Sequence, residues 1–211
     1  MRLFMLATAT CLLAAPAVAQ TAAPAGAFPR NDVSDREHGG PSAQAQRASI
    51  AALQQTLTEL QQLQLQTKQA HWNVSGALFY PLHELLQDHY EGVGKYADEV
   101  AERLLAIGAS ADGRANTIVR TSRVPEFTGG FVDDAQVITW FARYYHVVSD
   151  EVGQGIKASE EGDPTTSNLL QEVQHAIDKY QWQMRAMIQP TPTDTNDGAA
   201  LNGGRPVTMQ R

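Results

Sequence analysis

Hydrophobic positions recur at helical spacing through the middle of the chain. In a first segment, leucines return every three or four residues, and this spacing predicts a helix over about residues 46–74. A second segment predicts a helix over about 81–107, with Pro81 in the first turn, where proline is tolerated. Gly76 and Gly108 follow the two segments, and glycine tolerates the left-handed conformation in which many helices end. The first half of the chain is thus predicted to form a helical hairpin.

The second half repeats this arrangement after a longer connection. A third helix is predicted to begin at Asp133 or Asp134 and to reach about Glu160, and a fourth follows over about 164–188. The connection over about 108–130 contains several glycines and has room for a short helix. Four long helices with short 1–2 and 3–4 links and a long 2–3 crossover predict an all-α, ferritin-like four-helix bundle.

The two ends of the chain lack this periodicity. Residues 1–19 have the pattern of a secretory signal peptide that ends in a small-residue cleavage site at Ala19, and their apolar stretch is too short for a membrane anchor. Residues 20–45 and 190–211 are rich in small, polar and turn-forming residues and are predicted to be flexible tails. The sequence therefore predicts an exported protein, periplasmic or extracellular, with one domain over residues 46–189.

Charge and cysteine content narrow the functional classes. The formal net charge is −7, and cleavage of the predicted signal, which contains Arg2, makes it −8. An acidic chain repels nucleic acid and anionic membranes, whereas its field accumulates cations. The single cysteine, Cys11, lies inside the predicted signal, so the mature chain would carry no disulfide and no thiolate chemistry. The composition argues against DNA and membrane partners and is compatible with metal handling.

Two histidines and two carboxylates fall on the first predicted hairpin: His71, His83, Asp98 and Glu102. Imidazole nitrogen and carboxylate oxygen form a ligand set that suits iron, manganese or zinc. At about 100° per residue, the two carboxylates share a face roughly 130° and 170° from the centre of the second helix's apolar strip, whereas the histidines lie nearer the strips. The carboxylates therefore point away from the subunit's own core. A site with all four ligands would be shared with a second chain across a two-fold interface.

The spacing alone leaves ordinary structural roles open. Asp98 and Glu102 could form a solvated helix face, and Glu99 and Arg103 have the spacing of a surface ion pair. A histidine near an apolar face is more often a buried, hydrogen-bonded residue than a ligand, and this is the interpretation for His89. The aromatic residues of the last two helices are interpreted as core or interface residues: Trp140, Tyr144, Tyr145, Tyr180 and Trp182.

Longer motifs surround the candidate ligands. They are Lys68-Gln69-Ala70-His71-Trp72-Asn73-Val74-x-Gly76-x-x-Phe79-x-x-x-His83-Glu84, Asp98-x-x-Ala101-Glu102-Arg103 followed by Gly108, and Asp178-Lys179-Tyr180-x-Trp182. These motifs resemble the signature of the Dps proteins, mini-ferritins that protect bacteria during starvation and oxidative stress. The resemblance covers about residues 46–189, which is the whole predicted bundle.

The resemblance implies a four-helix, ferritin-like subunit that assembles into a hollow homo-dodecamer. It implies an iron-oxidising (ferroxidase) site at each dimer interface, with His71 and His83 from one subunit and Asp98 and Glu102 from its two-fold mate. Fe²⁺ would be oxidised there, preferably by hydrogen peroxide, with oxygen as the other oxidant, and Fe³⁺ would be stored as mineral. Trp72 matches a tryptophan beside the site to which the family assigns radical quenching.

Two features depart from the family's pattern. Many members have an aspartate four residues after the second histidine, where this chain has Gln87, so a second iron is expected to bind loosely or through water. Asp88 is turned about 100° around the helix and cannot simply substitute. The second departure is the predicted signal, since most Dps proteins are cytoplasmic and some bind DNA through basic tails. The tails here have nearly balanced charge and cannot neutralise many phosphates, so DNA binding is not expected.

Two alternatives remain beside the iron-oxidising cage. One is a cage that mainly sequesters another divalent metal, Zn²⁺ or Mn²⁺, because Gln87 weakens the second iron position. The other is a Dps protein whose main partner is DNA.

Overall fold

The computed structural model describes residues 42–188, and these form five α-helices and one pair of very short strands. The helices are α1 (Ala43–Asn73), α2 (Phe79–Ala106), α3 (Ala115–Thr121), α4 (Asp134–Ser159) and α5 (Pro164–Ile188), and the strands are β1 (Val74–Ser75) and β2 (Val132–Asp133). The predicted all-α bundle of four long helices with a long crossover is confirmed. The crossover between α2 and α4 contains the short helix α3.

The boundaries of the first two helices differ from the predictions by a few residues. α1 begins at Ala43 rather than residue 46, because the hydroxyl of Ser42 accepts a hydrogen bond from the backbone N–H of Ala45 at 3.2 Å and so caps the helix. Residues 43–45, assigned above to the flexible tail, are therefore helical. α2 begins at Phe79, two residues before the predicted start. The predicted signal, most of the predicted N-terminal tail and the predicted C-terminal tail lie outside the described residues.

The core lies between the two helical hairpins. α1 packs mainly on α2, α4 packs mainly on α5, and the contact between α1 and α4 joins the two hairpins. The predicted apolar strips supply most of the core; the largest fully buried side chains are Tyr145, Phe141, Leu53, Leu57, Leu60, Leu63, Leu82, Leu86, Leu104, Leu170, Ile177 and Met184. Among the described residues, no helix is long and apolar enough to span a membrane.

Buried and partly buried polar side chains of α1 hold the crossover in place. Gln54 bonds both the N–H and the C=O of Asp112 at 2.9 Å, and the carboxylate of Glu59 accepts from the backbone N–H of Arg123 at 3.0 and 3.1 Å. Gln66 accepts from a further crossover N–H at 2.7 Å. The backbone N–H and C=O groups of an irregular segment need hydrogen-bond partners when they are buried, and here side chains of α1 supply those partners. This is why a polar stripe of α1 is buried.

The turn between α1 and α2 is tied to the start of α4. Val74 of β1 pairs in parallel with Val132 of β2. The backbone N–H of Leu78, which precedes α2, donates to the carboxylate of Asp134 at 2.8 Å. Gly76 adopts φ +119°, and a Cβ at this position would lie 2.5 Å from the same carboxylate, so only glycine fits here. The turn therefore has a fixed shape, and it sets how the ends of the two helices meet.

Candidate metal site

His71 and His83 face each other across this turn and bind each other's backbone. His71 lies in the last turn of α1 and His83 near the start of α2. Nδ1 of His71 lies 2.8 Å from the carbonyl oxygen of His83, and Nδ1 of His83 lies 2.8 Å from the carbonyl oxygen of His71. The two rings are stacked, with centroids 3.7 Å apart and an interplanar angle of 21°. The pair is therefore reciprocal and held by both helices.

The reciprocal hydrogen bonds fix the protonation of both rings. A carbonyl oxygen can only accept, so each Nδ1 carries a proton and donates it. In a neutral imidazole this leaves Nε2 as the unprotonated nitrogen, the state in which histidine binds a metal. Burial lowers the pKa of His71, and its hydrogen bond to the backbone of His83 opposes that shift. The neutral, ligating form of His71 is therefore favoured at neutral pH.

Asp98 and Glu102 lie on the exposed side of α2. The buried residues of α2 near them are Val93, Ala97, Val100 and Leu104, whereas both carboxylate residues are exposed. Within the part of the chain that the structure describes, neither carboxylate has a hydrogen bond or an ion pair. Two unpaired carboxylates one turn apart form a ready cation-binding face. On the surface of one subunit, however, they have no histidine beside them among the residues described.

One subunit cannot bring the four predicted ligands together. Asp98 follows His83 by fifteen residues of continuous helix, which corresponds to about 22 Å along the axis. Over residues 42–188, no three His, Cys, Asp or Glu side chains of a single chain converge as a metal site would require. The histidine pair and the carboxylate pair are therefore separate in one subunit, and a site with all four predicted ligands would need a second chain.

A lysine and an amide occupy the surroundings of the histidine pair. Lys68, one turn before His71, donates from Nζ to Oε1 of Gln87, one turn after His83. Nε2 of Gln87 in turn donates to Glu91 at 2.5 Å. The position at which the family often has a carboxylate is thus filled by a neutral amide that holds an ammonium group. This arrangement disfavours a second cation beside the histidines.

Trp72 follows His71 directly in sequence and is 64% exposed. The ammonium of Lys68 lies 6.0 Å from the centre of its ring, at the outer limit of a cation–π contact, and 4.9 Å from that of Tyr90. The indole is therefore accessible to solvent at the position next to His71 in the chain.

Sequence reasoning missed the cap on α2 and made one wrong prediction about an ion pair. Asp134 of α4 accepts the hydrogen bond that caps the start of α2. It lies fifty-one residues after His83 in the sequence, and no local signal connects the two residues. The predicted ion pair between Glu99 and Arg103 is wrong, because Arg103 binds the buried Asp163 at 2.7 Å and Glu99 pairs with Lys95 at 3.5 Å.

Comparison with known proteins places this fold in a family. The ferritin-like domain model matches residues 50–193. The DNA protection during starvation protein 2 of Deinococcus radiodurans is 63% identical over 164 residues, which is 78% of this chain and 68% of that protein. The chain belongs to the Dps family. Membership in this family implies that this Dps protein binds iron.

Solved structures agree with this assignment. The crystal structure of Dps92 from Deinococcus radiodurans matches with a TM-score of 0.70 and 64% sequence identity, covering 77% of this Dps protein and 99% of that chain. The crystal structure of antigen TpF1 from Treponema pallidum matches with a TM-score of 0.67 and 28% identity, covering 70% and 96%. The bundle therefore has the fold of a Dps subunit.

Proposed function

We propose that this Dps protein binds Fe²⁺ at sites shared between two subunits, oxidises it, and stores the Fe³⁺ as mineral inside a hollow dodecamer. The observation that carries the proposal is the reciprocal pair of His71 and His83, which leaves two neutral Nε2 atoms free beside each other. The exposed, unpaired Asp98 and Glu102 supply the missing hard oxygen ligands when they come from a two-fold partner. The function that follows is iron detoxification and protection during starvation and oxidative stress.

The chain's own residues perform three tasks in this reaction. The acidic surface raises the local concentration of Fe²⁺. The two imidazoles and the partner's two carboxylates hold the ion, and the carboxylates stabilise the additional positive charge of Fe³⁺. Trp72, exposed beside the histidines, is positioned to give up an electron to a stray radical. The redox chemistry itself belongs to the metal.

Hydrogen peroxide is the proposed preferred oxidant. One peroxide accepts two electrons from two Fe²⁺ ions and is reduced to water after protonation, so no hydroxyl radical leaves the site. Lys68 and Gln87 favour one tightly bound ion per site, and the second Fe²⁺ binds more weakly nearby. Oxygen is the slower alternative oxidant.

A subunit-mixing experiment tests the shared site. The double variant His71→Ala/His83→Ala lacks one half-site, and Asp98→Ala/Glu102→Ala lacks the other; each assembly alone should lose rapid Fe²⁺ oxidation. In a 1:1 co-assembly, half of the two-fold pairs are mixed and each mixed pair regains one of its two sites. The rate of Fe²⁺ oxidation by peroxide should therefore recover to about a quarter of the wild-type value. If the co-assembly regained no rapid Fe²⁺ oxidation, this would contradict a site built from two chains.

A simpler variant pair provides the matched control. His71→Ala/Asp98→Ala should abolish rapid oxidation while leaving the native mass unchanged. His146→Ala/Asp150→Ala removes the same two residue types from an exposed pair on α4, with 3.5 Å between Nε2 and Oδ2, and should leave the rate unchanged. Normal oxidation in the first variant would refute the assignment of the ligands.

A cage for Zn²⁺ or Mn²⁺ is the second candidate function, and the neutral Gln87 beside the histidines is the observation that favours it. Anomalous scattering at the iron and zinc edges from crystals of unsupplemented protein distinguishes the two. DNA binding is not part of the proposal, because the chain is acidic and its two terminal segments have nearly balanced charge. A gel shift at low salt that showed a complex would overturn this exclusion.

We also propose that the protein is exported and acts in the periplasm or outside the cell. Residues 1–19 carry the signal pattern that supports this location. N-terminal sequencing of the protein from a fractionated host should begin at Gln20. A cytoplasmic product that still begins with Met1 would contradict export.

A further inference from the structure

A histidine and a tyrosine form a buried polar pair in the core, and neither residue belongs to the proposed iron site. His89 of α2 is 1% exposed, and Tyr145 of α4 is fully buried. Nδ1 of His89 lies 2.9 Å from the hydroxyl of Tyr145, and Nε2 of His89 lies 2.9 Å from Oε1 of Gln183 on α5. Three long helices therefore converge on one imidazole.

The partners of His89 determine where its proton lies. Oε1 of Gln183 is an acceptor, so Nε2 of the neutral imidazole carries the proton and donates it. Nδ1 is then an acceptor, and the hydroxyl of Tyr145 donates to it. The hydroxyl of Thr67, which also contacts the phenol, sends its own proton to the backbone carbonyl of Leu63 at 2.7 Å. Tyr145 is thus a phenol hydrogen-bonded to an internal base.

Aromatic rings connect this phenol to the partly exposed side of the bundle. The ring centroid of Tyr180 lies 4.2 Å from that of His89 and 5.9 Å from that of Tyr145. In the other direction, Phe141 lies 5.4 Å from Tyr145, and Trp140 lies 4.7 Å from Phe141. Tyr180 and Trp140 are both half-buried. An electron can therefore leave the buried phenol through either end of a continuous stack of rings.

We propose that Tyr145 and His89 form a redox-active pair that traps one-electron oxidants, with His89 as the acceptor of the phenol proton. The oxidants are of the hydroxyl-radical class, which Fe²⁺ and hydrogen peroxide generate in solution. This activity goes beyond iron oxidation, since it acts on radicals that form when the main reaction fails.

The trapping step is balanced by a proton transfer inside the pair. A hydroxyl radical takes one electron through a half-buried ring and becomes hydroxide. Tyr145 loses that electron, and its O–H bond breaks as the proton moves to Nδ1 of His89. The products are a neutral phenoxyl radical and an imidazolium that still donates from Nε2 to Gln183. An Fe²⁺ ion then returns an electron and becomes Fe³⁺, while the proton moves back to the phenoxyl oxygen.

Burial makes the internal base essential. Burial raises the pKa of Tyr145, so the phenol does not lose its proton to solvent before oxidation. Burial also lowers the pKa of His89 to about 4, so the imidazole is neutral and can accept the phenol proton. Tyr144, the chain neighbour of Tyr145, is half-buried, and the described part of the chain provides it with no hydrogen bond to a histidine. The radical is therefore expected to localise on Tyr145. There the fully buried phenoxyl is shielded from other radicals.

Electron paramagnetic resonance on the wild-type protein tests the pair without relying on the iron site. Flash-generated ruthenium(III) tris-bipyridine is the external one-electron oxidant, and samples are frozen within milliseconds. The expected result is a phenoxyl signal whose high-field g component is that of a hydrogen-bonded oxygen. After exchange into deuterium oxide, ENDOR should show one strongly coupled deuteron. A signal without such a deuteron, or no phenoxyl signal, overturns the proposal.

Variants then identify the residues. Tyr145→Phe should lose the signal, His89→Phe should reduce its yield at least tenfold, and Tyr144→Phe should retain it. Circular dichroism and native mass establish that each variant is folded and assembled. An undiminished signal in Tyr145→Phe refutes the assignment. Iron oxidation is measured on the same samples, and a normal rate in Tyr145→Phe together with loss of the phenoxyl signal separates this activity from the proposed ferroxidase.

Discussion

Burial affects the chemistry of two histidines of this protein in different ways. His71 keeps Nε2 free because its other nitrogen is bound to a backbone carbonyl, and it therefore suits a metal. His89 has both nitrogens bound to protein side chains, so it has no free position for a metal. The expectation that His89 is an ordinary buried histidine describes its surroundings correctly. It omitted the phenol, because Tyr145 lies fifty-six residues away in the sequence.

His89 also gives stability a pH dependence. Its pKa is about 4 in the folded protein, against 6.5 when exposed, so the unfolded chain binds the proton first as the pH falls. Above about pH 6.5, His89 does not lower the free energy of unfolding. Between about pH 6.5 and pH 4 the free energy of unfolding falls progressively, by a total of about 3 kcal/mol from this residue. Urea unfolding at pH 7.5 and 4.5 should show this loss. In His89→Gln the difference between the two pH values should be smaller by most of that amount, whereas the exposed His175→Gln is the matched control.

Gln87 is proposed to limit how many metal ions a site holds tightly. Gln87→Asp places a carboxylate one turn after His83, but the ammonium of Lys68, now held by the amide, would pair with it. The combined variant Lys68→Met/Gln87→Asp should therefore raise tight Fe²⁺ binding from one ion per site toward two, measured by anaerobic calorimetry. Gln171→Asp adds the same charge at an exposed position of α5 and should not change the stoichiometry. An unchanged value in the combined variant would show that Lys68 and Gln87 do not limit the site.

At the scale of elements, the start of α2 depends on a residue of α4. Leu78 at the N-terminus of α2 has no capping side chain from its own segment, and Asp134 supplies the acceptor. β1 and β2 add a parallel pairing beside it. Because His83 lies in the first turns of α2, the orientation of its ring depends on how this helix end is held. The histidine pair is thus positioned in part by the second hairpin.

Asp134→Ala should weaken both the fold and the site. Loss of the hydrogen bond to Leu78 should cost about 1 kcal/mol in the free energy of unfolding, and Fe²⁺ oxidation should slow severalfold because the end of α2 frays. Asp133→Ala is the matched control, since Asp133 caps α4 through the N–H of Ala135 at 2.9 Å and should lower stability similarly. An equal decrease in oxidation rate for both variants would argue against a specific role of Asp134.

At the scale of the whole molecule, the separation of the two proposed half-sites predicts that activity requires assembly. The distance of about 22 Å along α2 between His83 and Asp98 cannot be closed within a rigid helix. A subunit in isolation has two imidazoles at one place and two carboxylates at another. The proposed four-ligand site would therefore form only when a second copy brings its α2 to the first histidine pair.

Native mass spectrometry with iron analysis tests this condition. The protein should have about twelve times the mass of one processed chain, and after aerobic Fe²⁺ loading it should retain many more iron ions than it has sites. A monomer would refute the shared site, because half of the ligands would be absent. An assembled cage without mineral would instead favour the metal-sequestering alternative.

The sequence by itself determined the elements and the faces on which the candidate ligands lie. Periodicity is a local property, so the four long helices, the crossover and the outward direction of Asp98 and Glu102 could all be read from it. The tertiary structure alone decided which groups meet. The reciprocal bonds of His71 and His83, the cap from Asp134, the pairing of Arg103 with Asp163 and the pair of His89 and Tyr145 join residues that are far apart or separated by a turn. Each depends on how the hairpins pack, and a local pattern contains no information about that packing.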